Sequence, residues 1–247
     1  VEYNPCARLV LAPTDAVAST ETGATSCPQP ALTAVLAAPA RLAYLHDLAV
    51  LDTPQEAAFD RVTRLVTRLL GVPIALVSLV TDERQFFKSS IGLSEPWASR
   101  CGTPLSHSLC QHVVGANAPL RITNAPADPH WRDHPAVVEI GVVAYLGVPL
   151  ATADGLVLGS LCAIDTVPRA WDAAALDSLR DLAATVMSEF ALRAAARELA
   201  RERTELRAER DRARTIMESV SQGLVIGDAA DRFVYANRSF AAMVGLE

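Results

Sequence analysis

Lysine is almost missing from this chain: Lys88 is the only one among 247 residues. Basic residues number 22 against 28 acidic ones, for a formal charge of −6. No window is strongly basic, so nothing recommends nucleic acid as a partner. Long apolar runs are lacking too. The longest, 141–151 (GVVAYLGVPLA), contains Gly and Pro and falls short of the ~18 residues of a membrane span. It reads as buried strand, and no membrane partner is expected. No basic n-region leads into an apolar core, so no secretory signal is read. Five cysteines, odd in number and irregular in spacing, do not form a disulfide framework. A reducing cytoplasm is the natural compartment.

Half of the residues (51%) are hydrophobic and a fifth (20%) are charged, as in an ordinary globular chain. The length suits one full domain plus extensions. Residues 1–38 are rich in Ala, Thr and Pro and carry four charges, which reads as a mostly disordered leader, with a brief helix available to 31–38. Order is expected from near Arg41, where Leu42, Leu45 and Leu48 follow a helical stripe. Thr53-Pro54-Gln55-Glu56 then reads as a helix start, with Thr53 as cap and Glu56 closing a capping box. Phe59, Val62, Leu65, Val66 and Leu69 form one apolar face, and Gly71 and Pro73 stop the helix.

Ile74–Val80 is a buried strand, Thr81-Asp82-Glu83 a turn, and Arg84–Ser90 the partner strand of a hairpin. A Gly- and Pro-bearing loop leads to a helix over Leu105–Val114. Leu120–Thr123 is a further strand, and Asn124–Pro135 a long loop. Tyr145–Leu150 and Leu156–Asp165 are strands joined through Asp154-Gly155, a hairpin dipeptide. Helices at both ends of an antiparallel sheet predict an α+β domain over 39–170.

From Trp171 to Val220 the chain has no helix breaker, which predicts a rod far longer than an ordinary helix. Leu192, Leu199, Leu206, Ala213 and Val220 recur every seven residues, but charges occupy half of the companion slots (Glu202 and Glu209 in one phase, Arg203 and Arg210 in the other). Two readings stand: a solvated spacer, or a deliberately marginal dimer seam. Homodimerisation through this helix is the expected partnership. In 221–247, Leu224–Ile226 and Phe233–Tyr235 read as two strands, with Asn237 as the cap of a helix carrying Phe240, Met243 and Val244. Two strands and a helix cannot enclose a core. Together with a start at Val1 in place of Met, this leads one to expect the front part of a longer protein, without a catalytic domain of its own.

Arg41 to Asp165 resembles a GAF domain of bacterial signalling proteins, through RLAYLHDLAVLDTPQEAAFDRVTRLVTRLLGVPIALVSLVTDERQFFKSSIGL, the 105–114 segment and GVPLATADGLVLGSLCAIDTVPRAW. From about Arg212 onward, with QGLVIGDAADRFVYANRSF, the chain resembles the beginning of a PAS domain. This resemblance implies an antiparallel GAF-type sheet flanked by helices, a long C-terminal signalling helix over 171–220 and an incomplete PAS fragment over 221–247. It also implies a sensory module whose output is a histidine kinase, a diguanylate cyclase or a serine/threonine phosphatase.

GAF domains hold small ligands between the sheet and the segments crossing one face. The resemblance therefore implies a ligand site at Ser106, His107, Cys110, Trp131 and Tyr145, with a cavity simply filled by side chains as the alternative. No catalytic residue, metal or particular cofactor is implied. Gln111 separates Cys110 from His112, unlike the adjacent Cys-His pair that carries a bilin in some relatives. His107 and Cys110 would share a helix face at i, i+3, too few ligands for a metal. His46, His130 and His134 read as structural or solvated. Two other classes remain open. One is a cysteine redox enzyme of the free methionine sulfoxide reductase type, using Cys101 and Cys110 with Cys162 also in the domain. The other is a purely structural dimerisation module.

Overall fold

The computed structural model describes residues 29–230 and 232–245, and the leader expected over 1–28 lies outside them. Helices α1 (Gln29–Leu36), α2 (Pro39–Leu48) and α3 (Ala57–Leu70) precede the hairpin of β1 (Ile74–Val80) and β2 (Arg84–Ile91). A short helix α4 (Trp97–Arg100), strand β3 (Gly102–Pro104) and a 3-10 turn (Leu105–His107) lead to α5 (Cys110–Ala116) and β4 (Leu120–Ile122). A second 3-10 turn (Ala125–Ala127) and α6 (Pro135–Val138) precede the long hairpin of β5 (Ala144–Ala151) and β6 (Val157–Asp165). One helix, α7 (Ala173–Ser219), then runs into β7 (Val225–Gly227), β8 (Phe233–Ala236) and α8 (Arg238–Val244).

The first six strands make one antiparallel sheet in the order β3-β2-β1-β6-β5-β4. Its central strands, β1 and β6, are buried at every residue. The reason lies in their composition: a strand sends successive side chains to opposite faces, and here both sets are mostly apolar, with Ser78, Ser160 and Asp165 as buried exceptions. On β5, Ala144, Leu146, Val148 and Leu150 pack with α2, α3 and α7, while Tyr145 packs with α1, α5 and α6. Two helical layers thus sandwich the sheet, the α+β fold that the sequence pattern predicts.

Helix α7 begins where Asp172 caps it, its carboxylate accepting from Ala175 N at 2.7 Å. Leu176, Leu179, Ala183, Val186 and Phe190 recur at three- and four-residue steps, so they line one stripe. All five are buried in the first layer, and Phe190 meets Phe59 of α3 at 5.2 Å between ring centroids. The helix is unbroken for 47 residues. At its far end Asn237, fully buried, joins it to the C-terminal segment. The Asn237 amide nitrogen donates to the carbonyls of Met217, Val220 and Gln222, and its oxygen accepts from Leu224 N and Phe240 N. The predicted cap of α8 is therefore also a clasp.

Three local expectations change. First, the disordered leader does not reach residue 38. Gln29–Leu36 is helical, with Leu32 and Leu36 buried in the second layer. Arg41 holds that helix in place: buried itself, its guanidinium donates to Val80 O at 2.5 Å and to the carbonyls of Leu36 and Val35. The brief helix expected over 31–38 is present, shifted two residues earlier, and what the composition did not disclose is the packing of its two leucines one turn apart. Second, the helix after the Thr53 signal starts at Ala57, and Glu56 is its cap residue without a side-chain capping bond. Thr53 instead donates to Val50 O and accepts from Lys88, whose ammonium also reaches Pro54 O and Glu56. Third, the helix predicted over Leu105–Val114 is split. Ser108 has extended dihedrals, and its hydroxyl accepts from Gln111 N at 3.1 Å, so α5 starts only at Cys110.

The chain's one lysine turns out to be buried completely. Lys88 on β2 and Arg193 on α7 meet the same carboxylate, Glu56. A buried ammonium needs such a counter-charge. Hydrogen bonding from Arg193, with help from Lys88 and against the effect of burial, brings the Glu56 carboxyl from 4.5 down to about 2. Because the folded value lies below the unfolded one, the cluster stabilises fully above the unfolded value and is lost as pH falls toward the folded one. Glu56→Gln should therefore cost about 1–3 kcal/mol at neutral pH, less than a fully buried pair because Glu56 is part-exposed. In urea unfolding across pH, the gap between the two proteins should close between pH 4.5 and about 2; a gap that ignores pH would contradict this assignment.

Candidate functional site

On the second face of the sheet, α5 crosses β1, β6 and β5. A cavity of ≈ 30 Å³ lies there, lined among others by Gln85, Thr103, His107, Cys110, Ile140 and Tyr145. That is room for one or two water-sized molecules, far below the few hundred Å³ of a metabolite pocket.

Of the five residues expected at a ligand site, three meet on this cavity: His107, Cys110 and Tyr145. His107 stands at the rim, with Nε2 3.0 Å from Glu139 beyond α6. Ser106 is exposed and only contacts His107 Nδ1, at 2.9 Å. Trp131 is buried elsewhere, its ring edge-on to His112 and His130 at 5.1 and 4.5 Å between centroids. His112 is held neutral, brought down to about 4 by burial and then by the neighbouring His134 and His130. His134 caps α6, accepting from Ala136 N at 3.1 Å.

Sequence reasoning missed Gln85 and Thr103. They are cross-strand partners on β2 and β3, both buried, and among the described residues Gln85 Oε1 and Thr103 Oγ1 have no hydrogen-bond partner. A signal existed: Gln85 shares a strand face with the apolar Phe87, so it is a polar residue on a face bound for the core.

The chemistry converges on Cys110 Sγ. Tyr145 donates its hydroxyl to this sulfur at 3.2 Å and Gln85 its amide at 3.5 Å, while Cys162 Sγ on β6 lies 3.8 Å away. Ser78 on β1 and Ser160 on β6 face it as well. Hydrogen bonding from Cys162 first, and from Tyr145 after it, outweighs burial and draws the Cys110 thiol down to about 7. The opposite holds for its neighbours: burial pushes both Cys162 and Tyr145 up, so they keep their protons and act as donors. Cys101 takes no part. It packs against the other layer of the sheet, with its thiol near Ala98 O and Ser99 O. The Cys101–Cys110 pairing imagined for a redox enzyme is thus separated by the sheet itself.

The model for the GAF domain family matches residues 54–190, more than half of the chain. The chain belongs to the GAF family. A second model, for a PAS domain, matches residues 211–247. A cyclic di-GMP phosphodiesterase of Pseudomonas aeruginosa is 38% identical over 130 residues, covering 52% of this chain and 21% of that protein. The chain thus spans about a fifth of that relative's length. Among solved structures, the GAF domain of an Acinetobacter phosphoenolpyruvate-protein phosphotransferase superposes with a TM-score of 0.47 at 19% identity, covering 64% of this chain and 96% of that one. The free methionine-R-sulfoxide reductase of Neisseria meningitidis, solved with its substrate, gives 0.46 at 16% identity, over 65% and 95% of the two chains.

In this GAF domain the position of the Tyr145 hydroxyl depends on Gly147, which pairs with Cys162 across the sheet. A methyl group at 147 would collide with that hydroxyl. Gly147→Ala should accordingly cost about 1–3 kcal/mol through overpacking. It should also shift the Tyr145 ring signals in an NMR spectrum. An alanine variant with wild-type stability and unshifted ring signals would contradict this packing.

Proposed function

We propose that this chain is the sensory input region of a bacterial signal-transduction protein. The GAF domain senses a small ligand or a redox state, and α7, paired with its copy in a homodimer, relays the outcome to the PAS segment. Catalysis belongs to an output outside these residues. The likeness to part of a cyclic di-GMP phosphodiesterase supports an output of enzymatic kind. The free thiols of Cys101, Cys110 and Cys162 suit a reducing cytoplasm.

The observation that carries this reading is the two-sided character of α7. Up to Phe190 its buried stripe belongs to the domain core. Beyond it, Leu192, Leu199 and Leu206 are each about two-thirds exposed, at 69%, 64% and 68%. Leu192 follows Phe190 by two residues, roughly 200° around the helix, so the leucine stripe looks away from the sheet. Arg193 and Arg201 look back toward it and pair with Glu56 and with Asp47 of α2. Heptad spacing on a face turned from the parent domain suits a second copy of the same helix. Charges at Glu202 and Glu209 keep that seam marginal, so a small differential affinity at the GAF domain can shift it between packings. Asn237, clasping the last carbonyls of α7, gives the PAS segment a fixed hold on the moving helix.

Sedimentation velocity tests the seam. The wild-type chain should run as a dimer, and the double variant Leu199→Arg, Leu206→Arg as a monomer whose melting temperature stays close to wild type. Monomeric wild-type protein, or a variant that remains dimeric, would sink the relay through α7.

A further inference from the structure

The Cys110 surroundings have the parts of an oxidant-reactive thiol site rather than of an inert core cysteine. A buried cysteine is ordinarily a small apolar side chain. Here the sulfur faces two charge-stabilising donors and a second sulfur 3.8 Å off. Beside it is a cavity of ≈ 30 Å³ that carries two orphaned polar atoms, Gln85 Oε1 and Thr103 Oγ1. The cavity suits a polar molecule of two heavy atoms, able to both give and accept hydrogen bonds. Among the residues lining it, His107, Leu93 and Ile140 are part-exposed.

We propose that Cys110 and Cys162 form a peroxide-reactive pair, in which hydrogen peroxide entering this cavity converts the two thiols into a disulfide joining α5 to β6. In the first step the Cys110 thiolate attacks one peroxide oxygen. An S–O bond forms, the O–O bond breaks, and the departing hydroxide takes up a proton as water. In the second step the Cys162 sulfur attacks Cys110 Sγ, the S–O bond breaks, and a second water leaves with the Cys162 proton. Two thiols are oxidised by two electrons in all, and one peroxide is reduced to two waters. Tyr145 and Gln85 are positioning residues, since each holds the thiolate form by donating to it. The lowered Cys110 value near 7 agrees with this assignment. The disulfide would draw α5 toward β6, the strand whose other face packs on the layer of α7.

The site deepens the sensory reading by naming a redox input, but its chemistry does not need the relay. The full chain is treated with hydrogen peroxide and mapped by peptide mass spectrometry. Wild-type protein should show a Cys110–Cys162 disulfide that dithiothreitol reverses. Cys162→Ser should stop at a Cys110 sulfenic acid, read as the gain of one oxygen in the intact mass, and Cys110→Ser should leave Cys162 reduced. Tyr145→Phe should slow the reaction about tenfold through loss of one donor to a charged sulfur, and cumene hydroperoxide should react at least tenfold more slowly than hydrogen peroxide. Free thiols at 110 and 162 under excess peroxide, pairing of Cys110 with Cys101, or equal rates with the bulky peroxide would each overturn the proposal. The Leu199→Arg, Leu206→Arg protein separates this question from the relay: it should form the disulfide as the wild type does, whatever its oligomeric state.

Discussion

Everything in this fold depends on a sheet buried on both faces. An antiparallel sheet can leave one face to water, and its strands then alternate apolar and polar. Here β1 and β6 offer no polar face, so the sheet must be covered twice. One covering layer contains the long helix α7, and the other contains the small cavity. Single strands therefore touch both. Tyr145 points to the cavity, while its chain neighbours Ala144 and Leu146 pack in the layer of α7. Cys162 likewise sits between Leu161 and Ala163. Because interiors are packed as densely as organic crystals, a displaced strand is felt on both sides.

Energetics restrict how such a displacement can travel. Burying Leu176, Leu179, Val186 and Phe190 is worth on the order of 10 kcal/mol, and the Lys88–Glu56–Arg193 cluster adds to that hold. The docked half of helix α7 is thereby held firmly on the sheet. What remains cheap is rotation or a slight tilt of the docked half, carried along the helix to the segment bonded at its far end. The PAS segment is consistent with this. Phe233, Val234 and Met243 stay exposed, and its firm attachments to the rod run through Asn237, Glu218 and Ser239.

Much of the fold could be read from sequence because its elements are strongly patterned. IALVSLV, the Asp154-Gly155 hairpin, Gly71 as helix stop and the breaker-free stretch after Trp171 each carry a single local meaning. The errors came where tertiary contacts overrode local signals. Glu56 has the spacing of a capping box, yet a buried lysine from β2 and an arginine from α7 compete for its carboxylate. Leu32 and Leu36 sit in the stretch read as a brief helix within a disordered leader, and only the open face of a distant sheet gives them something to cover. The site was partly legible: His107, Cys110 and Tyr145 do converge. Gln85 and Thr103, and the approach of Cys162 to Cys110, were not, because sheet register and the placement of α5 bring together residues up to 52 positions apart.

The central claim is that the cavity face and the α7 face of this sheet are energetically coupled. A double-mutant cycle between Tyr145→Phe on one side and Leu179→Ala on the other tests it most directly, with unfolding free energies as the readout. Coupled faces predict a deviation from additivity of about 0.5 kcal/mol or more, and additivity to within about 0.3 kcal/mol would contradict the claim.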